Sequence, residues 1–214
     1  MKTRNTVLLV FLLLSILFIF FVYSLAKSYS DYVFNNLSHS FVRFHVVANS
    51  NSTEDQIIKY KVRDEIMNYA SSLLINANSQ AEALKILSDH LDELSAIAES
   101  LITSENLNYS VRVSIGKSYF PTKDYNSFIL PEGNYDALKV ELGDAQGQNW
   151  WCVMFPSICI PQYDDINISD NSVSLLENTL DTEELSIISK NSNSANVKIK
   201  FKLIELFENI WILL

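Results

Sequence analysis

Hydrophobic and polar positions divide the 214-residue chain into stretches of distinct period. From Val7 to Val22 the chain is apolar except for Ser15, with Lys2 and Arg4 ahead of it and the small residues Ser24 and Ala26 behind. That is the layout of an export signal, with cleavage expected after Ala26. At 1.5 Å per residue, a helix from Val7 to Ala26 also reaches across a hydrocarbon core of about 30 Å, so an uncleaved anchor is the alternative. Either way the remainder of the chain is expected outside the cytoplasm.

Residues 27–38 read as a polar linker. Phe41 to Ala48 then alternates, with Val42, Phe44, Val46 and Ala48 on one side and Arg43 and His45 on the other, which predicts a strand. From Glu54 to about Asn76, Ile58, Val62, Ile66, Tyr69 and Leu73 recur in steps of three and four and predict a helix. A second helix follows from a capping box at Ser79 and Glu82, with its apolar stripe running from Leu84 to Leu101. Period two returns at Tyr109, Val111, Val113 and Ile115, and further strands are expected at 125–130, 135–142 and 150–155. Pro131-Glu132-Gly133-Asn134 reads as a hairpin joining the strand at 125–130 to that at 135–142. The expected fold is α+β: two helices packed on a mainly antiparallel sheet of about five strands, in the order strand, helix, helix, four strands.

All four glycines and all four prolines fall between 116 and 161, which separates a helical first half from a turn-rich second half. Residues 161–196 read as an acidic flexible linker, since 162–190 hold seven acidic side chains and only Lys190 as a base. At the end, Val197, Ile199, Phe201 and Leu203 alternate with lysines before a very apolar tail to Leu214. The segment 197–214 is too short to span a bilayer, and its Trp, Phe and Leu content suits contact with a membrane surface or packing on the domain. The globular domain is thus expected over 39–160.

Twenty-five acidic against sixteen basic residues give a net charge of −9, and no basic stripe is present, which argues against nucleic acid as a partner. No Gly-rich phosphate loop occurs, and two cysteines without a paired-ligand spacing make a weak metal set, so neither cofactor nor metal is expected. Cys152 and Cys159 are separated by six residues in an exported chain and can form a disulfide; the alternative is two small buried hydrophobes. A hydrolase using Cys152 as nucleophile would need a histidine base, for which His45 is the candidate. Trp150 and Trp151 are adjacent on one strand and must point to opposite faces of the sheet. One of them therefore leaves the helix-facing core, where Arg43, His45, Arg112, Lys139 and Glu141 are expected around it, and an aromatic patch with a polar rim marks a partner site.

Particular strings carry a resemblance. Val42-Arg43-Phe44-His45-Val46-Val47-Ala48-Asn49-Ser50-Asn51-Ser52, followed by Asp55-Gln56, Lys59 and Val62-Arg63-Asp64, resembles the N-terminal signature of the stage II sporulation protein R family of endospore-forming bacteria. Phe120-Pro121-Thr122-Lys123, Tyr125, Pro131, Gly133, Tyr135, Ala137-Leu138, Leu142-Gly143 and Gly147 are similar to that family in order and spacing. So are Asn149-Trp150-Trp151-Cys152-Val153, Phe155-Pro156 and Cys159. The similarity covers roughly residues 41–160; the departures are His45, where an arginine is usual, and the long acidic linker. The resemblance implies a protein made in the forespore and exported to the space between forespore and mother cell. There it triggers a membrane-embedded aspartic protease of the mother cell to process the precursor of sigma-E, so the chain is a signal and not an enzyme. Candidate contacts are Trp150 and Trp151 as anchors, with Arg43, Asn49, Arg63 and Asp64 as polar partners. A cell-envelope structural protein and an exported thiol hydrolase are the rival readings.

Overall fold

The computed structural model describes residues 2–125, 128–156, 176, 179–180 and 182–189. The first element, α1 (Lys2–Ser38), is a single helix, long and apolar enough to cross a membrane, and the apolar run within it is exposed. Residues 27–38, expected as a linker, continue this helix. No glycine or proline interrupts them, and Lys27 and Asp31 stand one turn apart with their charged groups 3.5 Å from each other.

The folded unit beginning at Leu37 is α+β. Its elements are β1 (Val42–Val47), α2 (Thr53–Leu74), α3 (Gln80–Asp89), α4 (Leu91–Ser104), β2 (Val111–Phe120), β3 (Lys123–Asp124), β4 (Ile129–Leu130), β5 (Gly133–Leu142), β6 (Asn149–Phe155) and α5 (Thr182–Ile188). Four strands form the main sheet in the order β2-β5-β1-β6, parallel between β1 and β5 and antiparallel elsewhere. The helices carry the chain from β1 to the edge strand β2, which runs antiparallel to β1, and β5 then inserts between the two, antiparallel to β2 and so parallel to β1.

Local chemistry sets the helix starts. Ser52 caps α2 by accepting the Asp55 N–H, and Ser79 caps α3 by accepting the Glu82 N–H while Glu82 reaches back to the Asn78 N–H. The expected second helix is two, broken at His90, whose backbone leaves the helical region and whose N–H caps α3 at the Ile86 carbonyl. A straight rod of 25 residues, about 37 Å long, would leave a twisted sheet at its ends, whereas two shorter helices keep both Leu87 and Leu94 fully buried.

The hairpin expected at 131–134 does not form. Instead β2 and β5 pair with each other over ten residues, from Val111 opposite Leu142 to Phe120 opposite Gly133. The intervening residues make an excursion in which β3 and β4 form their own two-stranded sheet. Proline at both ends of that excursion, Pro121 and Pro131, removes the donors a continuous ladder would need.

All six residues of β1 are buried, because the sheet is covered on both faces. One face carries Val42, Phe44, Val46, Leu138 and Val140 against α2, α3 and α4. On the other, Phe41, Tyr125, Phe128, Leu130 and Val153 meet Leu37 from the end of α1 and Leu176, Leu180 and Ile188 from the stretch read as a flexible acidic linker. Most of 161–196 lies outside the described residues; within it, Leu176, Leu180 and Ile188 are buried in this cluster and Leu185 packs against it. Cys159 and residues 197–214 lie outside the described residues.

The turn after β1 interlocks with that before β6. Gly147 N–H donates to Ala48 O and Gln146 N–H to Asn49 O, and a Cβ on Gly147 would stand 2.8 Å from Ala48 Cβ and closer still to the Ser50 carbonyl. Gly147→Ala is therefore expected to cost about 1–3 kcal/mol, the usual penalty of overpacking. Urea denaturation reads this as a lower midpoint, and an unchanged midpoint would show that the two turns are not interlocked.

Candidate functional site

The β1–β6 register decides where the two tryptophans go. Val46 faces Trp150 and His45 faces Trp151, so the indoles occupy opposite faces of the sheet.

On the helix face, the half-buried Trp150 meets the edge of Tyr60 at 5.6 Å, and the Arg63 guanidinium lies 4.4 Å over its ring and 4.9 Å over that of Tyr60. Tyr60 and Arg63 are neighbours because they are three residues apart on α2. Arg63 holds Asp64 at 2.6 Å, and while the guanidinium is nearly covered, the carboxylate is 40% exposed. Lys59 adds its ammonium 4.5 Å from the Tyr60 ring and donates to Gln56 Oε1 and Gln148 O. The buried Trp150 Nε1 has no hydrogen-bond partner among the described residues. Together these groups make a layered aromatic–cation patch that is open to solvent at the Asp64 carboxylate.

On the opposite face Trp151 stacks on His45 with ring centres 3.9 Å apart and meets Phe120 at 4.9 Å. Burial pushes the His45 ring down to about 4, so it is neutral near neutrality. Beneath this stack, Arg43 is fully buried, with its guanidinium 4.3 Å from the Phe120 ring centre and 4.9 Å from that of Tyr135. It donates through Nε to Cys152 O and through Nη2 to Tyr125 Oη. Burial lowers its pKa and raises those of Tyr125 and Tyr135, the latter to about 12.

Of the six residues expected to meet a partner, Arg63, Asp64 and Trp150 come together in one patch, and Trp151 lies on the other face. Arg43 is internal, because the face that its alternation with apolar residues suggested was open is covered by a second apolar cluster. Asn49 is spent within the fold: its Oδ1 accepts the Asp144 N–H and its Nδ2 donates to Asp55. Asp55 also accepts from Ser50 Oγ and Tyr109 Oη, while its own N–H is held by Ser52 Oγ. Burial pushes this carboxyl up, and these hydrogen bonds outweigh it and leave it below the ordinary range. Sequence reasoning missed Tyr60 and Phe120. Tyr60 left a signal, since it falls off the apolar stripe of α2 and one helical turn before Arg63. Cys152 is buried opposite Phe44 on the helix face, and His45 is on the other, so the sheet itself separates the nucleophile and base that a thiol hydrolase would need.

The family model described as Stage II sporulation protein R matches residues 38–165. A Bacillus subtilis (strain 168) protein named Stage II sporulation protein R is 36% identical over 118 residues, which cover 55% of this chain and 53% of that one. The chain thus spans about half the length of the curated relative it matches. No solved structure matches.

The His45–Trp151 stack has a pH signature. An unfolded histidine takes up its proton below pH about 6.5, and the buried ring does not until about 4, so stability is constant above that window and declines as pH falls through it. His45→Phe keeps a ring against Trp151 and is expected to flatten the decline. Urea denaturation across pH 4–7 checks this, and an equally steep decline in the variant would assign the slope elsewhere.

Proposed function

From the membership of this chain in the stage II sporulation protein R family, we propose that it is an exported sporulation signal, made in the forespore and acting in the space between forespore and mother cell. Its target in this reading is a membrane-embedded aspartic protease of the mother cell, whose activation leads to processing of the sigma-E precursor. The family match carries the proposal, and three features of the molecule support it. The N-terminal helix is apolar and exposed, as a signal or anchor is. The domain presents the Tyr60–Arg63–Trp150 patch, an arrangement of the residue types that dominate binding energy in protein interfaces. The cysteine and histidine that the rival hydrolase reading requires lie on opposite faces of the sheet. An oxidised pair of Cys152 and Cys159 fits the same exported setting.

Deleting the gene in its native host and restoring it under a promoter active only in the forespore is expected to restore sigma-E processing. In that background Trp150→Ala should lower binding by about 2 kcal/mol or more, which is roughly thirtyfold, and processing with it, in a variant whose thermal midpoint shows that it still folds at the working temperature. Processing that proceeds in the deletion strain would end the proposal, and full processing by a folded Trp150→Ala variant would remove the patch from it.

A further inference from the structure

Among the described residues the main sheet ends in a long open edge. Gly143 N–H donates to Ser110 O, which directs the backbone of Ser110 towards β5. Alternation along the strand then turns the N–H and C=O groups of Val111, Val113, Ile115, Lys117 and Tyr119 the other way. No described strand pairs with them, since β2 is the outermost strand of the order β2-β5-β1-β6. Exposed edges of this length are ordinarily blunted by a bulge, a proline, charged side chains or a covering element; β2 pairs with β5 without a register shift and contains no proline, and its charges, Arg112 and Lys117, flank the middle of the strand rather than occupy it.

Gly116 stands at the middle of this edge, exposed, with an ordinary backbone conformation and nothing within 4 Å of the place a Cβ would occupy. Neither a turn nor internal packing requires a glycine there. In a strand such a residue marks the close approach of another chain, and an aromatic side chain opposite it on a neighbouring strand is the arrangement that covers it best. Charge narrows the occupant further. Helix α4, which packs on β2, exposes Asp92, Glu93 and Glu99 and contains no lysine or arginine, while Lys117 on the same side of the strand is paired with Asp136, so the helix side of the edge favours basic side chains.

We infer that the β2 edge receives an extended segment of a partner protein as a fifth strand, with an aromatic side chain over Gly116 and basic side chains towards α4. This deepens the proposed function, because it rests on the chain acting by contact with a protein partner. Residues 112, 114, 116 and 118 would then form non-hydrogen-bonded pairs with the added strand, the positions at which facing side chains come closest.

The test uses the full-length protein in sporulating cells, with Tyr119, which is 55% exposed, replaced by a photo-crosslinking phenylalanine analogue. The expected adduct joins position 119 to a segment containing aromatic and basic residues. Gly116→Val, which adds a strand-favouring side chain into open space, should lower adduct yield at least about tenfold at an unchanged or raised thermal midpoint. Ile115→Pro, which removes one outward N–H without touching the β2–β5 ladder, should lower the yield as well, at a reduced midpoint because Ile115 also packs on the core. An unchanged adduct yield in Gly116→Val, an adduct within this chain such as to its lysine-rich segment at 197–203, or an adduct mapping to an acidic or helical segment, would overturn the inference. Sigma-E processing measured in the same strains separates the two proposals. Processing that never depends on this protein counts against the signalling role alone, whereas wild-type processing in both edge variants counts against the edge alone.

Discussion

A single guanidinium organises the face of the sheet that lies away from the helices. Arg43 sits at 0% exposure on the central strand, makes no ion pair among the described residues, and spends two of its donors on Cys152 O and Tyr125 Oη. Burying an unpaired cation is costly, and its cost is offset here by the faces of Phe120 and Tyr135 and by the two hydrogen bonds. These groups come from β6, the β3–β4 excursion, β2 and β5, so one side chain ties to β1 elements from every part of the turn-rich half. A cation needing that many partners also explains why the face away from the helices cannot stay open. The β3–β4 excursion and the segment ending at Ile188 close over it, and Trp151 and His45 continue the aromatic layer at its side.

Much of this architecture was legible in the residues. The period-two run at Val42–Val46, the stripe of α2 and the Ser79–Glu82 cap led to elements where the structure has them, because each is a local consequence of spacing or of one side chain bonding a nearby N–H. Pairing was less legible. The Pro131–Asn134 turn looked like a hairpin because sequence reports the turn residues but not the partner strand, and β5 pairs with the more distant β2. Alternation also misled at Arg43 and His45. It separates polar from apolar side chains, and a buried cation in an aromatic cage reads along the chain like a surface arginine. The same limit divided the candidate site: Trp150, Arg63 and Asp64 meet, whereas the amide of Asn49 is consumed in joining two turns.

The resulting molecule has two surfaces of different character. At the helix face, Trp150 and Tyr60 hold the Arg63 guanidinium between aromatic planes and offer Asp64 at the rim; at the sheet edge, backbone groups and Gly116 offer shape without side-chain chemistry. Neither surface resembles a reaction centre, and the cysteine and histidine that came nearest to one are kept apart by the strand they flank. Recognition is the activity proposed for this arrangement, and in that proposal it takes place beyond the cytoplasm of the cell that makes the domain.

That display is measured most directly with a membrane-impermeant, amine-reactive biotin applied to intact protoplasts producing the full-length chain. Lys85 and Lys117 have side chains 74% and 53% exposed and report the domain itself. Their labelling, or their recovery in the medium, while a cytoplasmic marker stays unlabelled is the predicted result. Labelling of both lysines only after the membrane is opened with detergent, together with the marker, would contradict it.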